Sequence, residues 1–403
     1  MKMKRLTFKP SLIVIVCLML AVLGPTSGVR AENASISTHA RAAALIDVES
    51  GRLLYSSRGD EPMLIASLTK IMTAIVAIEN GDLTSKVKVG KNAFAKEGSS
   101  IYLKLGEEMT LENMLYGLML RSGNDAATAI AEHIGGSEQG FVYMMNAKAE
   151  ELGLVNSHFA NPHGLDAEGH YSSANDLAKL TAYAMHNPVF KEIVKTPEKT
   201  ADNPYEKWDY KWSNKNKMLR LYEGADGVKT GYTKKALRTL VSSATRNGQQ
   251  LVAVTLNDGN DWNDHASLLN FGFNHYPLKT LIERGEGISG YSYVTGKAFA
   301  YPLGQGEEAR IMTKLVLNRE AGTAEGQARS SSFGLRGVII VKLGGKEIGR
   351  VPVYESGQLP PEQSAYDKRY SPAMSIAYPA HSWLQAVGSA LRALFELGRE
   401  ANE

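Results

Sequence analysis

Apolar and polar positions along the chain fall into several regimes. RAAALIDVESGRLLYSS, residues 41–57, has two short apolar runs about Glu49-Ser50-Gly51 and predicts a β-hairpin. Residues 65–80 are rich in helix formers and stop at Gly81, the usual residue after a helix end. Helical spacing returns at 111–120, 125–134, 138–152 and 175–186, with Gly135-Gly136 and Gly153 closing two of these segments. LRTLVSSATRNGQQLVAVTL, residues 237–256, reads as two β runs about Arg246-Asn247-Gly248, and DHASLLNFGFNHY from Asp264 as a closing helix. Strands at both ends with a helical block between them predict one α+β domain.

The pattern changes after Tyr276. Residues 277–365 carry short alternating runs such as RGVIIVKLGGKEIGRVPVY, separated by glycine, and predict a small all-β domain. GQLPPEQSAYDKRYSP, residues 357–372, has linker composition. In the last segment Trp383, Leu384, Val387, Leu391, Leu394 and Phe395 share one side of a helix, and Gln385, Ser389, Arg392, Glu396 and Arg399 the other. This amphipathic helix is too polar to span a bilayer. Two readings stay open for it: peripheral membrane contact, or packing on its own domain.

The N-terminus changes the charge picture. Lys2, Lys4, Arg5 and Lys9 precede an apolar core at 12–24, and Val29-Arg30-Ala31 offers a cleavage site, so residues 1–31 read as a signal peptide for secretion. That core is short for a membrane span, although an uncleaved anchor is the alternative. Residues 1–31 hold five basic and no acidic residues, so cleavage takes the formal charge from +3 to −2. The basic balance of the precursor therefore gives no reason to expect nucleic acid. Cys17, the only cysteine, leaves with the same segment, which excludes disulfides and thiolate chemistry from the rest.

Three short motifs carry candidate chemistry. Ser67-Leu68-Thr69-Lys70 places a hydroxyl and an amine three residues apart, on one face of a helix. Serine becomes a nucleophile when a neighbour takes its proton, and lysine can do so when burial or positive charge lowers its pKa. Taken alone, S-x-x-K arises by chance about once or twice in such a chain, and Ser67 as a helix cap explains it as well. Ser122-Gly123-Asn124 lies between two helices, where the hydroxyl could relay a proton and the amide could hold a carbonyl. An interhelical turn is the plain alternative. Lys229-Thr230-Gly231, ahead of a β run, offers a cation and a hydroxyl to an anion and lets a ligand lie against backbone.

Together, in this order, the three motifs resemble those of the low-molecular-weight penicillin-binding proteins, the D-alanyl-D-alanine carboxypeptidases of serine peptidase family S11. The likeness extends over nearly the whole chain, through the hairpin, NPHGLDAEGHYSSANDLAKL (161–180), DGVKTGYT and the β-rich end. It implies a penicillin-binding-protein-like α+β catalytic domain at 32–276 with its helical block against an antiparallel sheet. A small all-β domain at 277–365 and a linker with amphipathic helix at 366–403 would follow. It implies catalytic Ser67 as nucleophile, Lys70 as general base and Ser122 as proton relay. Asn124, Lys229, Thr230, Gly231 and Tyr232 would bind substrate, with the backbone N–H groups of Ser67 and Tyr232 as oxyanion hole. The implied partners are a peptidoglycan stem pentapeptide and, as covalent inhibitors, β-lactams, with no cofactor and no metal.

One departure is AEGHYSS, where some relatives carry histidine at the position of Tyr171, beside His170; neither is assigned a role. Carboxylate recognition by Lys215 or Arg238 is conceivable on charge alone. Other classes fit less well. G-x-S-x-G and H-E-x-x-H are absent, and the nine histidines show no ligand spacing. A β-lactamase and a non-hydrolysing penicillin sensor are the nearest rivals.

Overall fold

The computed structural model describes residues 36–318 and 334–360. The expected export segment at 1–31, most of the linker and the amphipathic run from Trp383 lie outside those residues.

The first hairpin pairs β1 (Ala42–Asp47) with β2 (Leu53–Ser57). A 3-10 turn, Ala66–Thr69, leads into α1 (Lys70–Asn80), so the helix expected at 65–80 is present with a tighter first turn. It ends where expected, but Gly81 is extended at φ −117° and not left-handed. A small ribbon of β3 (Lys86–Lys88) and β4 (Glu108–Thr110) precedes α2 (Leu111–Tyr116). There Thr110 accepts a hydrogen bond from the Asn113 N–H, and the helix then widens into a π turn, Gly117–Arg121. Next come α3 (Asn124–Gly135), α4 (Glu138–Glu151) and α5 (Ala174–Met185). Ser137 and Ser173 cap the last two, each side chain accepting from the backbone N–H three residues on. α6 (Pro188–Lys195), not foreseen from the periodicity, is capped by Asn187 and has proline in its first turn.

A second ribbon, β5 (Glu198–Ala201) with β6 (Tyr210–Ser213), and the single turn α7 (Met218–Leu221) lead to the main strands. These are β7 (Ala225–Thr233), β8 (Leu237–Arg246) and β9 (Gln249–Leu256), followed by α8 (Asp261–His275). Asn247 and Gly248 turn β8 into β9 with φ of 48° and 78°, as a two-residue hairpin requires. The sheet has five strands in the order β2-β1-β9-β8-β7, every neighbouring pair antiparallel, which leaves β7 at an edge.

Both faces of this sheet are covered, which is why β1 reads as an unbroken apolar run. Ala42, Ala44 and Ile46 face the helical core, while Ala43 and Leu45 pack with Leu268 and Leu269 of α8. Inside the helical layer α1 is buried from Lys70 through Ala77. An ionisable residue at the first position of so enclosed a helix is a strong constraint on what Lys70 does.

After Tyr276 the described residues form strands with one 3-10 turn, Glu308–Arg310: β10 (Leu278–Ile282), β11 (Tyr293–Thr295), β12 (Phe299–Pro302), β13 (Ile311–Leu317), β14 (Leu335–Leu343) and β15 (Lys346–Glu355). β10 pairs with β12, and the others form a sheet in the order β11-β15-β14-β13 over a small core of Ile282, Val341 and Val351. Arg52, immediately before β2, reaches this part. Its guanidinium donates to the Pro302 carbonyl and to both Glu307 carboxylate oxygens, each at 2.7 Å, and lies over the rings of Tyr276 and Tyr301. Among the described residues no helix is long and apolar enough to cross a membrane.

Candidate active site

The turn that carries Ser67 is fixed by its neighbours. Ile65, Ala66, Leu68, Thr69 and Lys70 are buried, and Ser67 alone in this run is half-exposed. Ser67 makes no capping hydrogen bond, so the helix-cap reading fails. Ala66 holds a left-handed φ of 49°, an unfavourable conformation for a residue with a Cβ. A hydrogen-bond chain pins it: the Ala160 N–H donates to His170 Nδ1 at 3.0 Å, His170 Nε2 lies 2.7 Å from Thr69 Oγ1, and that hydroxyl donates to the Ala66 carbonyl at 2.8 Å. The chain requires a neutral imidazole with its proton on Nε2. Burial supports this by pushing the His170 pKa down to about 4. His170, left without a role by its sequence context, thus holds the serine turn in place, while Tyr171 pairs its backbone with His158.

Lys70 is fully buried. Its Nζ lies 3.2 Å from Ser67 Oγ, 2.7 Å from Asn124 Oδ1 and 2.5 Å from the His163 carbonyl oxygen. Burial, then the charges of Lys229 and Lys215, push its pKa well below the ordinary 10.5, against a smaller upward pull from Asp125. In the neutral amine two N–H groups and one lone pair are available. The Asn124 and His163 oxygens can only accept, so both N–H groups go to them and the lone pair is left for the Ser67 hydroxyl. That is the geometry of a general base.

The second motif splits in its surroundings. Ser122 ends the π turn at φ 65°, is buried, and its Oγ has no hydrogen-bond partner among the described residues. Asn124 opens α3 and is engaged at both ends of its amide, with Oδ1 on Lys70 and Nδ2 donating to the Glu97 carbonyl at 2.7 Å. The third motif lies inside β7, not ahead of a strand as the sequence suggested. Lys229 is buried there, donates to the Thr230 carbonyl at 2.8 Å, and has its pKa pushed down to about 7 by burial and by Lys215. A Cβ on Gly231 would lie 2.4 Å from Thr239 Oγ1 and 3.1 Å from the Ser67 backbone nitrogen. Glycine therefore brings the free edge of β7 against the serine, with Tyr232 exposed beside it.

Spacing alone gave no signal for the remaining parts. The loop 161–166 wraps the serine turn. Asn161 Oδ1 accepts from the His163 and Gly164 N–H groups, Thr73 Oγ1 donates to the Pro162 carbonyl, and Asp166 accepts from Thr233 of β7. Asp125 accepts from the backbone N–H groups of Ile101 and Leu103 and from Ser100, which ties the 99–103 loop to α3. Lys215 donates to Ser99 at 3.2 Å and its charge lowers the pKa values of both Lys70 and Lys229. Arg238, by contrast, is occupied by an ion pair with Asp261. Among the described residues no group of His, Cys, Asp or Glu could hold a metal ion.

Comparison with known proteins bears on the family and the fold. A family model for the D-alanyl-D-alanine carboxypeptidases, peptidase family S11, matches residues 28–260. The D-alanyl-D-alanine carboxypeptidase DacF of Bacillus subtilis is 35% identical over 313 residues, 74% of this chain and 80% of its own length. DacA of Escherichia coli is 31% identical over 339 residues, 78% and 82% of the two chains. Among solved structures, penicillin binding protein 5 from Haemophilus influenzae superposes with a TM-score of 0.63 at 27% identity, covering 80% of this chain and 98% of that one. A D-alanyl-D-alanine carboxypeptidase from Mycobacterium tuberculosis gives 0.57 at 34% identity over 60% and 94%. With a family match over more than half its length and Ser67, Lys70, Asn124 and Gly231 brought together, the chain belongs to the D-alanyl-D-alanine carboxypeptidases of serine peptidase family S11.

Proposed function

We propose that this protein is a serine-type D-alanyl-D-alanine carboxypeptidase that removes the terminal D-alanine from peptidoglycan stem pentapeptides and so limits cross-linking. The observation that carries the reading is the Lys70 amine, buried, held by two obligate acceptors and left with its lone pair toward Ser67. Ser67 Oγ attacks the carbonyl between the two D-alanines as its proton passes to Lys70. The backbone N–H groups of Ser67 and Tyr232 receive the developing oxyanion, a contribution of about 3 kcal/mol per donor. When the C–N bond breaks, the departing amine takes a proton, and the unpartnered Ser122 hydroxyl is suited to pass it from Lys70. The peptide lies along the free edge of β7, its terminal carboxylate at Lys229 and Thr230. The second hydrogen of the Asn124 amide remains for the acyl carbonyl. Water then attacks the ester, with Lys70 again taking the proton, and D-alanine and the shortened peptide leave.

A β-lactam enters by the same attack and leaves an ester on Ser67. The side-chain and carbonyl partners of Lys70 include no carboxylate, and Asp125, whose charge acts on it, is spent on backbone N–H groups and Ser100. Hydrolysis of that ester then depends on Lys70 alone, without the added carboxylate base of a β-lactamase, and is expected to be slow. The charge pattern of residues 1–31 supports export, so we place the enzyme on the wall side of the cytoplasmic membrane. Retention in the cytosol by cells making the full chain would contradict this placement.

The test of the activity is D-alanine release from a pentapeptide ending in D-alanyl-D-alanine. The wild-type protein should release it, and Ser67→Ala and Lys70→Ala should lose the activity by at least about a thousandfold. Covalent penicillin binding without release would favour a sensor. Rapid turnover of a chromogenic cephalosporin would favour a β-lactamase.

A further inference from the structure

The Lys70 ammonium or amine is positioned in part by a backbone atom, the His163 carbonyl, and that atom is only as well placed as the residue that bears it. His163 is 95% buried, its backbone shared with the loop 161–166. The Leu165 N–H donates to His163 Nδ1 at 3.3 Å, which leaves the proton of the neutral ring on Nε2. His163 Nε2 has no hydrogen-bond partner among the described residues and lies 3.7 Å from Glu138 Oε1. That separation is longer than a hydrogen bond, and burial lowers the His163 pKa, so the contact is between the carboxylate and the N–H dipole of a neutral ring. Glu138, the first residue of α4, in turn meets Lys96 Nζ at 3.2 Å and accepts from Thr128 Oγ1 at 3.3 Å. The nearby imidazole N–H and Lys96 hold its carboxyl below the ordinary carboxylate range. Lys96 adjoins Glu97, whose carbonyl holds the other acceptor of Lys70, Asn124.

We propose that Glu138 is a positioning residue for the catalytic base: through His163 on one side and Lys96 on the other, it fixes both oxygens that hold Lys70 and so aims the amine at Ser67. This rests on the role of Lys70 in the functional reading above. The carboxylate is suited to the task because it is ionised throughout the working range, so it stays available to the Lys96 ammonium and to the His163 N–H whatever the protonation of Lys70 and Lys229. Glu138 touches neither substrate nor Ser67. Its loss should therefore reduce the rate of proton transfer and leave binding alone.

The surroundings of Glu138 make the idea directly testable. It forms part of the wall of an open cavity of about 470 Å³, with Asn92, Lys96, Glu132 and Ser137. A small carboxylate can reach the space that truncation at Glu138 would leave. The experiment measures kcat and KM for D-alanine release by the wild-type chain and by Glu138→Gln, Glu138→Ala and Glu132→Gln, with and without formate or acetate. Glu132 lines the same cavity but bonds Asn92, and its variant should match the wild type. Both Glu138 variants should lose about tenfold in kcat with KM within about twofold, a smaller penalty than full misplacement of a catalytic group. Formate or acetate should restore at least about threefold to Glu138→Ala, and an equal concentration of chloride should not. Wild-type kcat in either Glu138 variant, or a loss in Glu138→Ala that both carboxylates leave untouched, would overturn the assignment. An inactive wild-type chain would instead overturn the functional reading, and this inference with it.

Discussion

At the scale of residues, the site is a problem in placing positive charge. Lys70 and Lys229 are both buried and each depresses proton binding at its neighbours, Lys229 acting on Lys70 and Lys215 acting on both. In the proposed mechanism the two have opposite requirements. Lys70 must be neutral to accept the serine proton, so acylation gains as pH rises through its lowered pKa. Lys229 must be charged to attract a carboxylate. With its pKa lowered to about 7, the free enzyme loses that charge as pH rises through 7. For a peptide with a free terminal carboxylate, kcat/KM, which reports the free enzyme, should therefore fall above about pH 7 relative to the same peptide amidated at its end. Measuring that ratio from pH 6 to pH 9 checks the sign, and a constant ratio would remove the charge role of Lys229. The motif serine and lysine were legible from their spacing. Their states were not, because burial and a second lysine 159 positions away set them.

Among elements, the decisive contact is between the loop 161–166 and the 3-10 turn at Ala66–Thr69. Gly164 sits at φ 86°, and a Cβ there would lie 2.0 Å from the Ala66 carbonyl oxygen and 2.5 Å from its carbon. Both are backbone atoms of the turn that holds Ser67, so neither can swing aside. Gly164→Ala should lower the unfolding free energy by about 3 kcal/mol and slow penicillin labelling of Ser67. Gly136→Ala is the control: its φ is also positive, at 70°, but nothing lies within 4 Å, so the loss there should be about 1 kcal/mol with labelling unchanged. Thermal or denaturant unfolding with a labelling time course separates the two. The loop was visible in the sequence as part of a family likeness, yet its chemistry was not. A carbonyl donated by His163 and a close approach at Gly164 leave no spacing that periodicity can detect. The π turn before Ser122 and the short α6 escaped for a related reason, since tertiary packing sets them more than local propensity does.

For the whole molecule, the question is how the strand-rich part after Tyr276 is held to the rest. Arg52 supplies a three-way contact from the first hairpin to Pro302 and Glu307, with two aromatic rings beneath its guanidinium. The ion pair is largely shielded from water, with side-chain exposures of 16% and 19%, so it is not a surface pair of negligible worth. Arg52→Ala should lower stability by about 2 kcal/mol, after discounting for residual solvent, and leave kcat for D-alanine release unaltered. Calorimetry on the two proteins checks this, and an unchanged transition would mean that apolar packing alone joins the two parts.

The sequence by itself determined the alternation of strands and helices, the unbroken apolar runs of a sheet covered on both faces, and the identity of the motif residues. It could do so because these properties repeat over a few positions, as periods of two or 3.6 residues or as fixed spacings. The tertiary structure decided which groups those residues meet. It placed the free edge of β7 against Ser67, gave Lys70 two obligate acceptors drawn from α3 and from the loop after α4, and turned His170 from an unassigned neighbour into a brace for the serine turn. Such contacts join positions roughly 50 to 170 residues apart. The electrostatic states of the lysines depend on the low-dielectric enclosure that exists only once those distant segments have packed.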